Sequence, residues 1–257
     1  MKKHTYIHAD VKIGKNLKID PFSCIHENVT IGENCWIGSN VTIFPGARIG
    51  SNCNIFPGAV ISAIPQDLKF KGEDSTVNIG NNVTIRECVT INRGTNYSNT
   101  TIVADNCFLM AYSHIAHDCI IHKNVIIANG VAIAGHVEID EYAIIGGLAA
   151  VQQFTKIGRN SMISGGSLVR KDVPPYIKVA KEPLRFIGIN KIGLSRNSFS
   201  DVEMQNIQSM YRIIFQEGNN ISKAINIIEN NYKTSKEKKE IVNFIKQSKI
   251  GIVKGFI

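Results

Sequence analysis

No stretch of this 257-residue chain approaches the roughly 18 consecutive apolar residues of a membrane-spanning helix, so no stable membrane insertion is expected. Met1-Lys2-Lys3 is basic, but no apolar segment follows it. A secretory signal is therefore not expected, and the expected compartment is the cytoplasm. Acidic residues are scarce: 21 Asp and Glu stand against 29 Lys and Arg, a net charge of +8. That balance favours acidic partners such as nucleic acid, anionic membrane, phosphorylated ligands or an acidic carrier protein, though a Lys-rich solvated surface produces it equally well. The 6 cysteines lack the spacing of a metal site. Cys35, Cys53, Cys107 and Cys119 instead share one slot of a repeat, which identifies them as small buried hydrophobes of a reducing compartment.

What the chain has is a period of six. Ile, Val or Leu recurs at Ile7, Ile13, Ile19 and onward to Ile61, then at Ile79, Ile85 and Ile91, then from Val103 through Ile115, Ile133 and Val151 to Val169. Six fits neither the 3.6-residue turn of a helix nor the alternation of a strand. It predicts an all-β solenoid of hexapeptide repeats, a parallel β-helix with about 18 residues per coil, followed by an α-helical C-terminal region. The aliphatic residue points inward, and the fifth position is small and also inward. The fourth is often Asn or Gly, as at Asn34, Asn52, Gly130 and Gly166, because each corner needs a left-handed backbone. Residues one coil apart stack about 4.8 Å above one another.

Two interruptions, at about 62–78 and 92–102, leave the solenoid as loops, where function is commonly grafted. Asp172-Val173-Pro174-Pro175 is expected to end the sheet ladder. The expected domains are therefore residues 1–175 and a linker plus helical domain over 176–257. Ser200-Asp201-Val202-Glu203 has the form of a capping box opening a helix to about Glu217, with further helices near 221–232 and 235–248.

The densest chemical cluster is His114-Ile115-Ala116-His117-Asp118-Cys119, with His122 and His136 nearby. Stacking puts His117, Gly135 and Gln153 in one column, and Asp118, His136 and Phe154 in the next. Asp118 and His136 occupy the corner slot that Asn or Gly fills elsewhere. An imidazole beside a carboxylate suits a general base, and a glycine one coil on can present its N–H to an oxyanion. Acyl transfer to a hydroxyl fits that set. No serine sits in the column to support covalent catalysis. Two other readings stay open: corner His and Asp that merely bond neighbouring turns, and a zinc site using His117, His122, His114 or His136.

Across essentially all its residues the chain resembles the bacterial UDP-N-acetylglucosamine O-acyltransferases that begin lipid A synthesis. The resemblance rests on Pro65-Gln66-Asp67-Leu68-Lys69, Thr90-Ile91-Asn92-Arg93-Gly94-Thr95, Met110 through Cys119, Ala134-Gly135-His136, Ile144-Ile145-Gly146-Gly147, Gln153-Phe154 and Asp172 through Tyr176. It implies a left-handed coil and a homotrimer with sites between subunits. It implies transfer of an (R)-3-hydroxyacyl group from the phosphopantetheine of acyl carrier protein to the 3-hydroxyl of UDP-N-acetylglucosamine. No further cofactor, no metal and no nucleic acid are implied. His117 matches the general base, Asp118 its orienting partner and Gly135 the oxyanion donor. Asp67, Lys69, Asn92, His114, His136, Gln152, Gln153, Asn190 and Arg196 match substrate-binding positions, and Gly165 matches the place where a side chain would block the acyl groove. The chain departs from the pattern in three ways. Gln152 stands where His is frequent, Arg196 is single where a pair is frequent, and Asn92 stands where some members have His. Two other functions are compatible with the same residues: a metal-dependent hydratase like the β-helix carbonic anhydrases, and a non-catalytic solenoid that binds UDP-sugar or carrier protein.

Overall fold

The computed structural model describes residues 4–255. Met1, Lys2 and Lys3, on which the reading of the N-terminus rests, lie outside the described residues. The hexads form short strands that wind as a left-handed prism, each strand passing to the next of three parallel sheets. Among the described residues sheet I has 9 strands, sheet II has 8 and sheet III has 10. Ile25, Ile43, Ile61, Ile91, Ile115, Ile133 and Val151 stack in register along sheet I. All are buried, as are their counterparts on the other sheets, so one aliphatic column per face makes the core.

The corners obey the predicted rule and then exceed it. Asn34, Asn52, Asn106 and Asn124 have positive φ, as do Gly46 and Gly130. So, however, do Tyr112, Asp118, His136, Leu148 and Phe154, which lack glycine's freedom. The cysteine slot also does more than fill space. The thiols of Cys107 and Cys119 donate to the carbonyls of His122 and Ala134 at 3.0 and 3.1 Å, satisfying corner oxygens of the next coil. Burial pushes the Cys119 thiol up to about 12, so it stays protonated and inert.

The sheet runs past the prolines that were expected to end it. Ile177–Ala180 pairs parallel with the strand at Met162 and Ile163, and Arg185–Ile189 then pairs antiparallel with Ile177–Ala180. Pro174 and Pro175 fall at a corner before Ile177, where no ladder donor is lost. Helices α1 (Lys191–Arg196), α2 (Asp201–Phe215), α3 (Ile221–Asn231) and α4 (Lys236–Gln247) follow. Ser200 and Glu203 close the capping box on α2. Tyr211 on α2 donates to the Pro175 carbonyl at 2.6 Å, and Tyr176 bonds Glu240 on α4, which ties the helices to the end of the prism.

Candidate active site

Both loops and the histidine cluster leave the prism at one edge, between sheets I and II. The first loop lies between Val60–Ala63 and Thr76–Ile79, the second between Thr90–Asn92 and Thr100–Val103, and His117 follows Ile115. One coil on, Gly135 and His136 follow Ile133, and Gln153 and Phe154 come after Val151. The His136 N–H donates to the His117 carbonyl at 3.0 Å, and the Phe154 N–H to the Gly135 carbonyl at 3.2 Å, so the predicted columns form.

His117 is 4% exposed and Asp118 5%. His117 Nδ1 lies 2.8 Å from Asp118 Oδ2. The pairing turns Nε2 into the nitrogen free for a substrate. A Cβ on Gly135 would fall 2.6 Å from His117 Cε1 and 2.7 Å from Nε2, so only glycine leaves that approach to the ring clear. Among the described residues no hydrogen bond is donated by the Gly135 N–H.

Asp118 is held from the second loop, which sequence reasoning did not anticipate. Its carboxylate accepts from Thr95 Oγ1 at 2.7 Å, Ser98 Oγ at 2.5 Å, and the N–H groups of Thr95 and Ser98. The Asp118 N–H donates to Thr101 Oγ1 at 2.9 Å. Burial pushes the carboxyl up, but the Ser98, Thr95 and His117 hydrogen bonds outweigh it and hold the group below its ordinary range. Asp118 is thus anionic at neutral pH and fixes the His117 tautomer. A signal existed: the second loop leaves just after Ile91, which stacks directly under Ile115, so its Thr and Ser fall beneath Asp118.

His136 sits among three rings: stacked on Phe154 at 4.5 Å, edge-on to His117 at 4.9 Å and edge-on to Tyr97 at 4.5 Å. Burial lowers its basicity, opposed by the charges of Asp118 and of Asp67. Burial, with help from His117, lowers that of His114, whose Nδ1 lies 2.7 Å from Thr90 Oγ1. Asn92 is buried and donates to the Ile64 carbonyl at 3.1 Å, so it pins the first loop at its root. In that loop Asp67 accepts from the Lys69 N–H at 2.9 Å. Gln152 and Gln153 are exposed on the same edge. The edge opens into a cavity of about 740 Å³ whose walls include Tyr97, Asp118, His136, Phe154, Lys156 and Lys249.

Three predicted site residues are not brought to this edge by a single chain. Gly165 lies between sheets III and I, beside Gly147. Asn190 caps α1 and bonds the Asn160 carbonyl, and Arg196 ends the same helix, beside the edge between sheets II and III. Stacking aligns only residues that share a corner, and these three belong to other corners.

His122 stands apart from the cluster as well, 3.3 Å from Glu138 on sheet II. His117, Asp118 and His136 do offer ligand atoms within 4.8 Å of one another. The donor set fits a metal poorly, because Asp118's oxygens already accept from two hydroxyls, two N–H groups and His117.

Comparison with known proteins shows the family. A profile for bacterial transferase hexapeptide repeats matches residues 4–45, 28–63 and 100–135, and one for domain 2 of UDP-N-acetylglucosamine O-acyltransferases matches 172–253. An acyl-[acyl-carrier-protein]–UDP-N-acetylglucosamine O-acyltransferase of Synechocystis is 44% identical over 65% of this chain and 60% of its own length. One from Campylobacter concisus is 37% identical over 93% of this chain and 92% of its own. The crystal structure of a UDP-N-acetylglucosamine acyltransferase from Bacteroides fragilis superposes with a TM-score of 0.97 at 48% identity, covering 99% of this chain and 100% of that one. An Arabidopsis enzyme of that name superposes at 0.84 with 30% identity, over 99% of this chain and 100% of its own. With near end-to-end matches in both sequence and structure, the chain belongs to the acyl-[acyl-carrier-protein]–UDP-N-acetylglucosamine O-acyltransferase family.

Proposed function

We propose that this protein transfers an (R)-3-hydroxyacyl group from acyl carrier protein to the 3-hydroxyl of UDP-N-acetylglucosamine, the first step of lipid A synthesis. The observation that carries the reading is the His117–Asp118 pair lying under Gly135 at the loop-bearing edge. His117 Nε2 takes the proton of the sugar hydroxyl as its oxygen attacks the thioester carbonyl. Asp118 steadies the imidazolium that forms. The Gly135 N–H faces the oxyanion of the tetrahedral intermediate. Collapse breaks the carbon–sulfur bond, and the departing thiolate takes the proton back from His117. Atoms and charge balance without another cofactor.

Asp67 and Lys69 bind the sugar nucleotide, with His114, His136, Gln152, Gln153 and Asn92 lining or supporting the same edge. Gly165, Asn190 and Arg196 join from another subunit of a homotrimer. Two observations support that assembly. Those residues lie on other edges of their own chain, and sheet III turns Ile126, Ile144 and Met162 outward beside the exposed Ile192. The excess of basic residues suits an acidic carrier protein. Among the described residues no helix is long and apolar enough to cross a membrane, and the cytoplasm is the proposed compartment.

The test is turnover with UDP-N-acetylglucosamine and hydroxyacyl carrier protein. Formation of the 3-O-acyl sugar nucleotide without added metal is the expected result. No product, or product only with zinc, overturns it.

The acyl groove is read at Gly165, whose edge also exposes Leu148 at 76%. A Cβ at 165 meets the Gly147 backbone, its carbonyl at 3.1 Å and its nitrogen at 3.7 Å, so a longer side chain is tolerated with a small shift. Gly165→Met should move donor preference to shorter chains by at least about tenfold in kcat/KM, since each buried methylene is worth about 0.8 kcal/mol. An unchanged chain-length profile would put the groove elsewhere.

A further inference from the structure

We infer that Tyr97 is a positioning residue for His136: its ring, carried on the second loop, holds the imidazole against Phe154 from the solvent side. The inference rests on the functional reading of His136 as part of the acceptor site, and it concerns a residue that the motifs do not single out.

Tyr97 is 71% exposed in the single chain, so packing within that chain does not explain where its ring lies. That ring nevertheless stands edge-on to His136, with centroids 4.5 Å apart and planes at 75°, and 6.5 Å from the Phe154 ring. Edge-to-face contacts of this kind are favourable beyond area burial. His136 needs such a hold. Its Nδ1 is buried without a hydrogen-bond partner, and the nearest acid, Asp118 Oδ2, is 3.9 Å away. A ring with no bond on that nitrogen keeps its plane only through its neighbours. Phe154 covers one face, and His117 and Tyr97 stand against it edge-on.

The loop sets Tyr97 in place by the same contacts that set Asp118. The Tyr97 N–H donates to Thr95 Oγ1 at 3.2 Å, and that hydroxyl donates to Asp118 at 2.7 Å. The next residue, Ser98, also donates to Asp118. One turn of chain therefore orients the carboxylate behind His117 and the ring beside His136. Tyr97 also lines the cavity of about 740 Å³ into which His136 opens, so it borders the space a substrate would enter. Its hydroxyl takes no part in these contacts, which makes the ring, not the phenol, the working part.

The experiment compares Tyr97→Ala and Tyr97→Phe in the full-length protein by steady-state kinetics and by NMR titration of the His136 ring. Tyr97→Ala should raise KM for UDP-N-acetylglucosamine about tenfold while kcat falls less than threefold. It should also move the His136 titration to higher pH, because water reaches a ring that burial now keeps less basic. Tyr97→Phe should restore both. The inference is overturned if the His136 titration in Tyr97→Ala matches the wild type, or if kcat collapses with KM unchanged, which would mean the loop merely serves Asp118. Should the wild type show no acyl transfer, the functional reading fails, but the titration still decides whether Tyr97 positions His136.

Discussion

His117→Ala should lower kcat by about 10²–10⁴-fold or more, with KM for either substrate changed only a few-fold. The change is clean because of what remains. Asp118 keeps the Thr95 and Ser98 hydroxyl and N–H donors when the imidazole goes, so no orphaned charge is left in the wall. The protein should therefore fold and melt nearly as before. A variant retaining a tenth or more of wild-type turnover removes His117 as the base and leaves the dyad a structural corner.

Gly135→Ala should be almost as damaging with every reacting group still present. The new methyl would stand 2.6 Å from His117 Cε1 and 2.7 Å from Nε2, distances that real Cβ atoms do not tolerate. The ring is wedged between that methyl and its bond to Asp118, so it must tilt away from the substrate. A displacement of about 1 Å costs on the order of 10²-fold in rate. Overpacking adds a stability penalty of about 1–3 kcal/mol, small enough for the prism to persist. Circular dichroism should show an intact β-helix while turnover falls about a hundredfold. Activity within threefold of the wild type would show that the approach to Nε2 does not pass position 135.

The two substitutions probe a site that was partly legible in the sequence. Periodicity alone placed His117 below Gly135 and Asp118 below His136, because stacking in a solenoid is arithmetic. The helical region was legible too, since Ser200 and Glu203 announce the start of α2. Thr95 and Ser98 were legible only as members of a loop leaving beneath Asp118; a loop suspends the arithmetic, so the spacing does not say which of its side chains turn inward. Position was also misread where a residue's corner was ignored. His122 looked near His117 along the chain but belongs to another edge, where it pairs with Glu138. Gly165, Asn190 and Arg196 were expected at the same site, yet one chain does not gather them, since folding aligns only residues within a corner.

The anchoring of Asp118 from the coil beneath fixes how this molecule can vary in length. The dyad draws on the loop after Ile91, its own coil at Ile115, the glycine above Ile133 and the aromatic above Val151. Those four windings form an indivisible module. A whole turn spliced in or removed near Ile25 or Ile43 would change the molecule's height and leave the chemistry untouched. The same edit anywhere from Ile91 to Val151 would pull the carboxylate's anchors, the ring or its glycine roof onto different storeys.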